Sequence, residues 1–173
     1  QQAVVESWEY DSSPIRLPGY RPDLRPAACI VQKAAAAINA ARRPLILAGH
    51  GILMSAATAE VKQFAERAQV PVAMTLLGVG ALPAGHALNL GMMGMHGEAW
   101  VNTAIQESDL LLALGMRFDD RVTGTLSTYA ANACKIHIDI DPSEINKNVQ
   151  VDIGMVGDLK DVLLQILPLT KPV

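Results

Sequence analysis

Asp109-Leu-Leu-Leu-Ala-Leu-Gly-Met-Arg-Phe-Asp-Asp-Arg-Val-Thr-Gly124 decides the fold class of this 173-residue chain. A short apolar run that ends in glycine and then releases two arginines and two aspartates reads as a buried strand delivering charge to one edge of a sheet. Open α/β folds bind their ligands at the C-terminal edge of the strands. Arg117 and Arg121 can pair with phosphate by bidentate hydrogen bonds, and Asp119 and Asp120 can hold them in place. The alternative is a surface salt-bridge cluster, but such a cluster needs neither Gly115 and Gly124 beside it nor a strand aimed at it.

The pattern on either side supports alternating strands and helices. The spacing predicts a helix over Ala27–Ala41 with Ile30, Ala34, Ala37, Ile38 and Ala41 on one face, Arg42 and Arg43 suited to its last turn, and Pro44 as its stop. Leu45–Gly49 is then a short strand, and Ser55 is placed to cap a second helix whose buried stripe is Val61, Phe64, Ala65 and Ala68. Pro71–Thr75 reads as the second strand, residues 76–91 as a loop, and Glu98–Glu107 as the third helix. Asp109–Leu114 and Lys135–Ile140 are further strands, and Ile153–Val156 is a weaker one. The last helix, Leu159–Leu167, turns Leu159, Val162, Leu163 and Ile166 inward. This order implies a doubly wound α/β domain, Rossmann-like, with a mainly parallel six-stranded sheet covered on both faces.

Composition narrows the functional classes. A domain of this length buries roughly 70% of the surface its unfolded chain exposes, so residues 27–173 are read as one domain. Residues 1–26 are rich in Pro, Ser, Arg and Asp and begin with Gln1, and they are read as an interdomain linker of a longer polypeptide. A net charge of −3 provides no broad basic field, so neither nucleic acid nor an anionic membrane is an expected partner. The apolar runs are far too short to span a bilayer and no signal segment opens the chain, which points to a cytoplasmic location. Cys29 and Cys134 lack metal-ligand spacing and are read as reduced, buried thiols, with no metal site expected.

Several strand ends carry groups that a nucleotide could use. Gly49-His50-Gly51 lets backbone approach a ligand, or is only a tight strand-to-helix turn, since it lacks a GxGxxG fingerprint. Thr75-Leu-Leu-Gly-Val-Gly80 offers a hydroxyl and two glycines in a loop that either binds or merely connects. Gly91-Met-Met-Gly-Met-His-Gly97 precedes the third helix, where free amides attract anions, so Met95 and His96 are candidate contacts. In His137-Ile-Asp-Ile-Asp-Pro-Ser-Glu144, Asp141 and Glu144 resemble a capping box around Pro142, leaving Asp139 free to accept from ribose hydroxyls. Asp158 reads first as the cap of the last helix and second as a ligand contact.

Taken together, these residues resemble the central domain of acetolactate synthase (acetohydroxyacid synthase) large subunits. The family consists of thiamine diphosphate-dependent enzymes of branched-chain amino-acid biosynthesis. The likeness is carried by Leu17-Pro-Gly-Tyr20, Pro44-Leu-Ile-Leu-Ala-Gly-His-Gly-Ile52, Met93-Gly-Met-His-Gly97, Gly115–Gly124, Ile138-Asp-Ile-Asp-Pro142 and Gly157-Asp158. It implies an FAD-binding domain in which an extended flavin dinucleotide plays a structural role without net redox turnover. By this resemblance Gly49, His50, Gly51, Thr75, Leu76, Met95 and His96 line the FAD, followed by Gly115, Arg117, Asp119, Arg121 and Val122. Asp139, Ile140 and Asp158 hold its adenosine end, while Met95 and Arg121 also face substrate, the arginine being linked to the second 2-oxo acid. Family members often carry a small residue where His50 stands and a Gln where Leu77 stands.

The implied full enzyme is a transferase that condenses pyruvate with pyruvate or 2-oxobutyrate. Its thiamine diphosphate and magnesium would sit between N- and C-terminal domains of neighbouring subunits in a homo-oligomer, with room for a regulatory subunit. These 173 residues contain neither a GDG-type diphosphate motif nor the family's catalytic glutamate, so no catalytic residue is expected here and the domain alone should be inactive. Two readings stay open beside this one. One is the central domain of a pyruvate oxidase or glyoxylate carboligase; the other is a scaffold domain whose site is empty or takes ADP or coenzyme A.

Overall fold

The computed structural model describes residue 7 and residues 24–171, so most of the segment read as a linker lies outside the described residues. Six strands run Pro44–Ala48 (β1), Val72–Met74 (β2), Asn89–Met92 (β3), Leu110–Leu114 (β4), Cys134–Asp139 (β5) and Ile153–Val156 (β6). The helices are Ala28–Ala40 (α1), Gly51–Met54 (α2), Thr58–Ala68 (α3), Ala99–Glu107 (α4), Asp120–Thr123 (α5) and Leu159–Ile166 (α6). The sheet order is β3-β2-β1-β4-β5-β6, and every neighbouring pair is parallel.

Strand β4 is apolar throughout because both of its faces are covered. Leu110, Leu112 and Leu114 join one core layer with α1, α3 and α6, while Leu111 and Ala113 join a second layer under α4. Alternation along the strand sends successive side chains to opposite faces, so one uninterrupted run feeds two cores. Strand β1 divides in the same way, with Ile46 and Ala48 in the first layer and Leu45 and Leu47 in the second. Full burial contributes about 1.5–3 kcal/mol for each such large side chain, which fixes the register of β1 against β4 from Pro44↔Leu110 to Ala48↔Leu114.

The helical stripes expected for α3 and α6 are the buried ones. Asp158 caps α6, its carboxylate accepting from the Lys160 and Asp161 amides at 2.9 and 3.2 Å. In α1 the buried face is rotated toward Val31 and Ala35, leaving Ile30, Ala37 and Ala41 partly covered. Arg42 and Arg43 lie beyond the helix rather than in its last turn. Their backbone amides donate to the two oxygens of Asp109 at 2.8 and 2.9 Å, tying the start of β1 to that of β4. Burial acts to raise the pKa of Asp109, and the Arg42, Arg43 and Asp109 backbone amides together with the Arg43 charge outweigh it, so the carboxyl sits below its ordinary value.

Three further expectations are corrected. Asn89–Met92, read as loop, is the edge strand β3; Asn-Leu-Gly-Met has weak strand propensity and gains its place by pairing with β2. Ser55 does not cap the second helix, because the helix begins after Ala57 and the Ser55 hydroxyl donates back to the Gly51 carbonyl at 2.9 Å, closing α2. Cys29 is exposed and Cys134 only partly buried, where both were expected inside. Among the described residues, no helix is long and apolar enough to cross a membrane.

Candidate functional site

The strand order reverses between β1 and β4, and the C-terminal ends of β1, β2, β4, β5 and β6 frame a cavity of about 670 Å³. That volume lies within the usual range for small-molecule sites, and a switch point of this kind is where doubly wound sheets bind ligands. The lining changes character along the sheet edge. Met54, Leu76 and Leu77 make an apolar end, Arg117 and Arg121 stand behind β4, and Asp139 and Asp158 follow beyond β5 and β6. His50, Gly51, Thr75, Gly115, Asp119, Val122 and Ile140 complete the predicted residues found on its wall.

The glycines of the first turn answer to each other. A Cβ on Gly49 would lie 2.2 Å from the Gly115 carbonyl oxygen, and one on Gly51 would lie 2.7 Å from Gly115 Cα. Gly115 itself has φ +55°, a left-handed conformation that L side chains resist. The Gly51 amide donates to the Gly115 carbonyl at 2.9 Å. Close passage of two chain segments therefore explains these three residues, and Gly49 stands behind the cavity wall. His50 Nδ1 lies 3.0 Å from the Leu77 carbonyl, so these two residues of the cavity wall are in contact.

Arg117, exposed, and Asp119, half-buried, form a pair at 3.6 Å, and a pair this close to solvent contributes little to stability. The other oxygen of Asp119, Oδ1, is buried with no hydrogen-bond partner. Asp139 accepts from the Asp141 amide through Oδ1 at 2.9 Å, leaving Oδ2 without such a bond. Asp141 in turn accepts from the Ser143 amide at 2.8 Å, and hydrogen bonding from the Ser143 side chain and then from that amide holds its pKa below the ordinary value. The reciprocal half of the expected capping box does not form: Glu144 instead accepts from Lys147 Nζ at 2.7 Å.

His137, on β5, is fully buried with Nε2 2.8 Å from the Met116 carbonyl. Burial lowers its pKa against the opposing pull of that carbonyl and of Asp139 and Glu144. It is neutral at pH 7, so its 3.8 Å approach to Asp139 is not a charged pair.

The glycine loop before α4 departs most from expectation. Four amides there are already used: Gly94 N donates to Asn102 Oδ1 and Met95 N to the Arg121 carbonyl. Gly97 N donates to the Gly94 carbonyl, and Glu98 N to that of Met92. None of these four is left for an anion. Met95 lines a separate cavity of about 260 Å³ beside Asn102 and Tyr129, and His96 lines neither cavity. Met95 still meets Arg121, whose Nη1 lies 3.6 Å from its Sδ, and both side chains are exposed.

Sequence reasoning missed Met54, Ser55, Leu77, Met116, Ile138, Gly157 and Leu159 on the main cavity wall. Gly157 and Leu159 flank Asp158 and could have been inferred from it; the apolar others carry no local signal. Among the described residues, no group of three or more His, Cys, Asp or Glu side chains is placed to hold a metal ion.

A six-stranded parallel sheet wound in both directions from β1 and β4, with a cavity at the reversal, defines a Rossmann-like α/β domain. Residues 31–166 match the family described as thiamine pyrophosphate enzyme, central domain, and the chain belongs to that family. It is 46% identical over 157 residues to "Acetolactate synthase" of Mycobacterium bovis, covering 91% of this chain and 25% of the relative. It is 48% identical over 153 residues to "Probable acetolactate synthase large subunit" of Methanocaldococcus jannaschii, covering 88% of this chain and 26% of the relative. The acetolactate synthase large subunit of Corynebacterium glutamicum matches at 46% over 157 residues, again 91% and 25%. The chain thus spans about a quarter of the length of the relatives it matches.

Proposed function

We propose that this chain is the FAD-binding part of an acetolactate synthase that condenses pyruvate with pyruvate or 2-oxobutyrate. The observation that carries the reading is the ordered change along the cavity, from apolar side chains through arginines to carboxylates. A flavin dinucleotide has the same sequence of chemistry: a flat ring, a diphosphate and an adenosine ribose. Leu76, Leu77 and Met54 suit the ring face, Arg117 the diphosphate by charge-assisted hydrogen bonds, and the Asp139 carboxylate a ribose hydroxyl. Asp158, with Oδ1 engaged in capping α6, has its second oxygen to offer.

Bound FAD would serve here as a structural group, without net electron transfer. The domain's own contribution is to hold that group and to present Arg121 and Met95 as an exposed pair to a neighbouring active site. Thiamine diphosphate and magnesium would be held by domains on either side, in a homo-oligomer.

The test uses the full-length protein. Its visible spectrum and an FAD titration should report one flavin per chain, and pyruvate with thiamine diphosphate and magnesium should yield acetolactate. Binding of ADP or coenzyme A in place of FAD would favour a scaffold domain, and electron-acceptor-dependent turnover of pyruvate would favour an oxidase. Acetolactate formation with no flavin affinity would remove FAD from the reading and leave the reaction.

A further inference from the structure

Arg117 is presented by a segment gripped from behind. Met116 and Phe118, only 3% and 4% exposed, are buried in the second core layer, while Arg117 between them is exposed on the cavity wall. The carbonyls on both sides of Arg117 are each taken by a side chain from a distant part of the chain. His137 Nε2 lies 2.8 Å from the Met116 carbonyl, and Asn148 Nδ2 lies 2.8 Å from that of Phe118. The His137 ring also packs edge-on against Phe118, at 5.1 Å between centroids and 75° between planes.

His137 is an expensive choice for its place in β5. Because Nε2 faces a carbonyl it must carry the proton, which leaves Nδ1 as an acceptor, and Nδ1 is buried with no partner. An aliphatic residue would fill an interior strand position without an unsatisfied nitrogen. The imidazole is accounted for by the one bond it makes, to the segment that carries Arg117. Asn148 is exposed and reaches that segment from the loop between β5 and β6.

We propose that His137 and Asn148 are positioning residues for Arg117: they fix the peptide that precedes it and the one that follows Phe118, so that its guanidinium is held ready for the dinucleotide phosphates. The proposal rests on the FAD reading of the cavity. Neither residue lines that cavity, so each acts on the ligand only through the segment it holds.

A double-mutant cycle on the full-length protein tests this. FAD dissociation constants are measured by flavin fluorescence for wild type, Arg117→Ala, Asn148→Ala and His137→Phe, and for the two double variants, with a thermal melt of each apoprotein. Asn148→Ala and His137→Phe should each raise the Kd about tenfold, as loss of supporting contacts commonly does. In the Arg117→Ala background the same changes should move it by about twofold or less, because their route to the ligand is gone. A merely structural role would lower the melting temperature and weaken FAD equally with or without Arg117, and that additivity overturns the proposal. So does an unchanged Kd for Asn148→Ala, whose exposed side chain keeps the test alive if His137→Phe fails to fold. If wild type binds FAD and Arg117→Ala binds it equally well, the positioning role falls while the flavin site stands. If wild type binds no FAD, the flavin reading falls and takes this proposal with it.

Discussion

Replacing Gly49 with alanine should force apart the C-terminal ends of β1 and β4. The new Cβ would lie 2.2 Å from the Gly115 oxygen, 2.4 Å from Met116 Cβ and 2.6 Å from Met116 Cα, where ordinary contacts are about 3.5–4.0 Å. All three are backbone atoms or a Cβ, so no change of rotamer relieves the overlap and the two segments must move by about an ångström or more. That movement breaks the bonds from Gly49 N to the Leu114 carbonyl and from Gly51 N to the Gly115 carbonyl, both 2.9 Å. Each buried amide left unpaired costs about 1–3 kcal/mol and overpacking adds about 1–3 kcal/mol, so with partial relaxation the loss is about 3–6 kcal/mol. Against a typical domain stability of about 5–15 kcal/mol, this is a large fraction. Gly85→Ala is the control: its Cβ meets nothing within 4 Å, and it should change stability by about 0.5 kcal/mol at most. Urea unfolding followed by far-UV circular dichroism compares the variants. A Gly49→Ala protein within about 1 kcal/mol of Gly85→Ala would refute the close passage of the two strand ends.

Other perturbations probe different parts of the same frame. Asn102 holds Gly94 by two bonds of 2.9 Å, one from each end of its amide; Asn102→Ala should cost about 1–3 kcal/mol. It should also speed hydrogen exchange at the Gly94 and Met95 amides, and unchanged exchange there would count against the clamp. Asp158→Ala removes the cap of α6 and should lower stability by about 0.5–2 kcal/mol in thermal unfolding, with Asp158→Asn close to wild type. Because burial holds the folded pKa of His137 below its ordinary value, the unfolded chain takes up a proton near pH 6.5 that the folded chain refuses. Its contribution is therefore complete above about pH 6.5 and is lost as pH falls below it, so His137→Phe should flatten the decline in melting temperature between about pH 7.5 and 5.5. An unaltered decline in that variant would assign the acid sensitivity to other groups.

Much of the architecture was legible because it rests on local periodicity. Leu110–Leu114 declares a strand buried on both faces, and the stripes of α3 and α6 are continuous at helical spacing. Strand β3 was not legible, since its Asn and Gly contradict strand propensity and only the open edge of β2 recruits them. In the candidate site, Arg117, Asp119, Arg121 and Asp139 fall on the cavity wall because strand ends in a parallel sheet share one edge. The loop 91–97 misled for a physical reason. Its glycines suggest free amides, yet Asn102 and the Arg121 carbonyl, from the helix beyond and the segment after β4, consume them.

The sequence by itself determined the doubly wound class, the two-layer burial of the central strands and the delivery of charge behind β4. Those properties depend on residues a few positions apart, whose spacing is visible in the chain. Only the tertiary structure decided which strand lies at the edge, why Gly49, Gly51 and Gly115 must all lack a side chain, and that His137 and Asn148 hold the peptides around Arg117. Each of these is a contact between groups far apart in sequence, settled by how the sheet brings two segments within a few ångströms, and no local pattern records it.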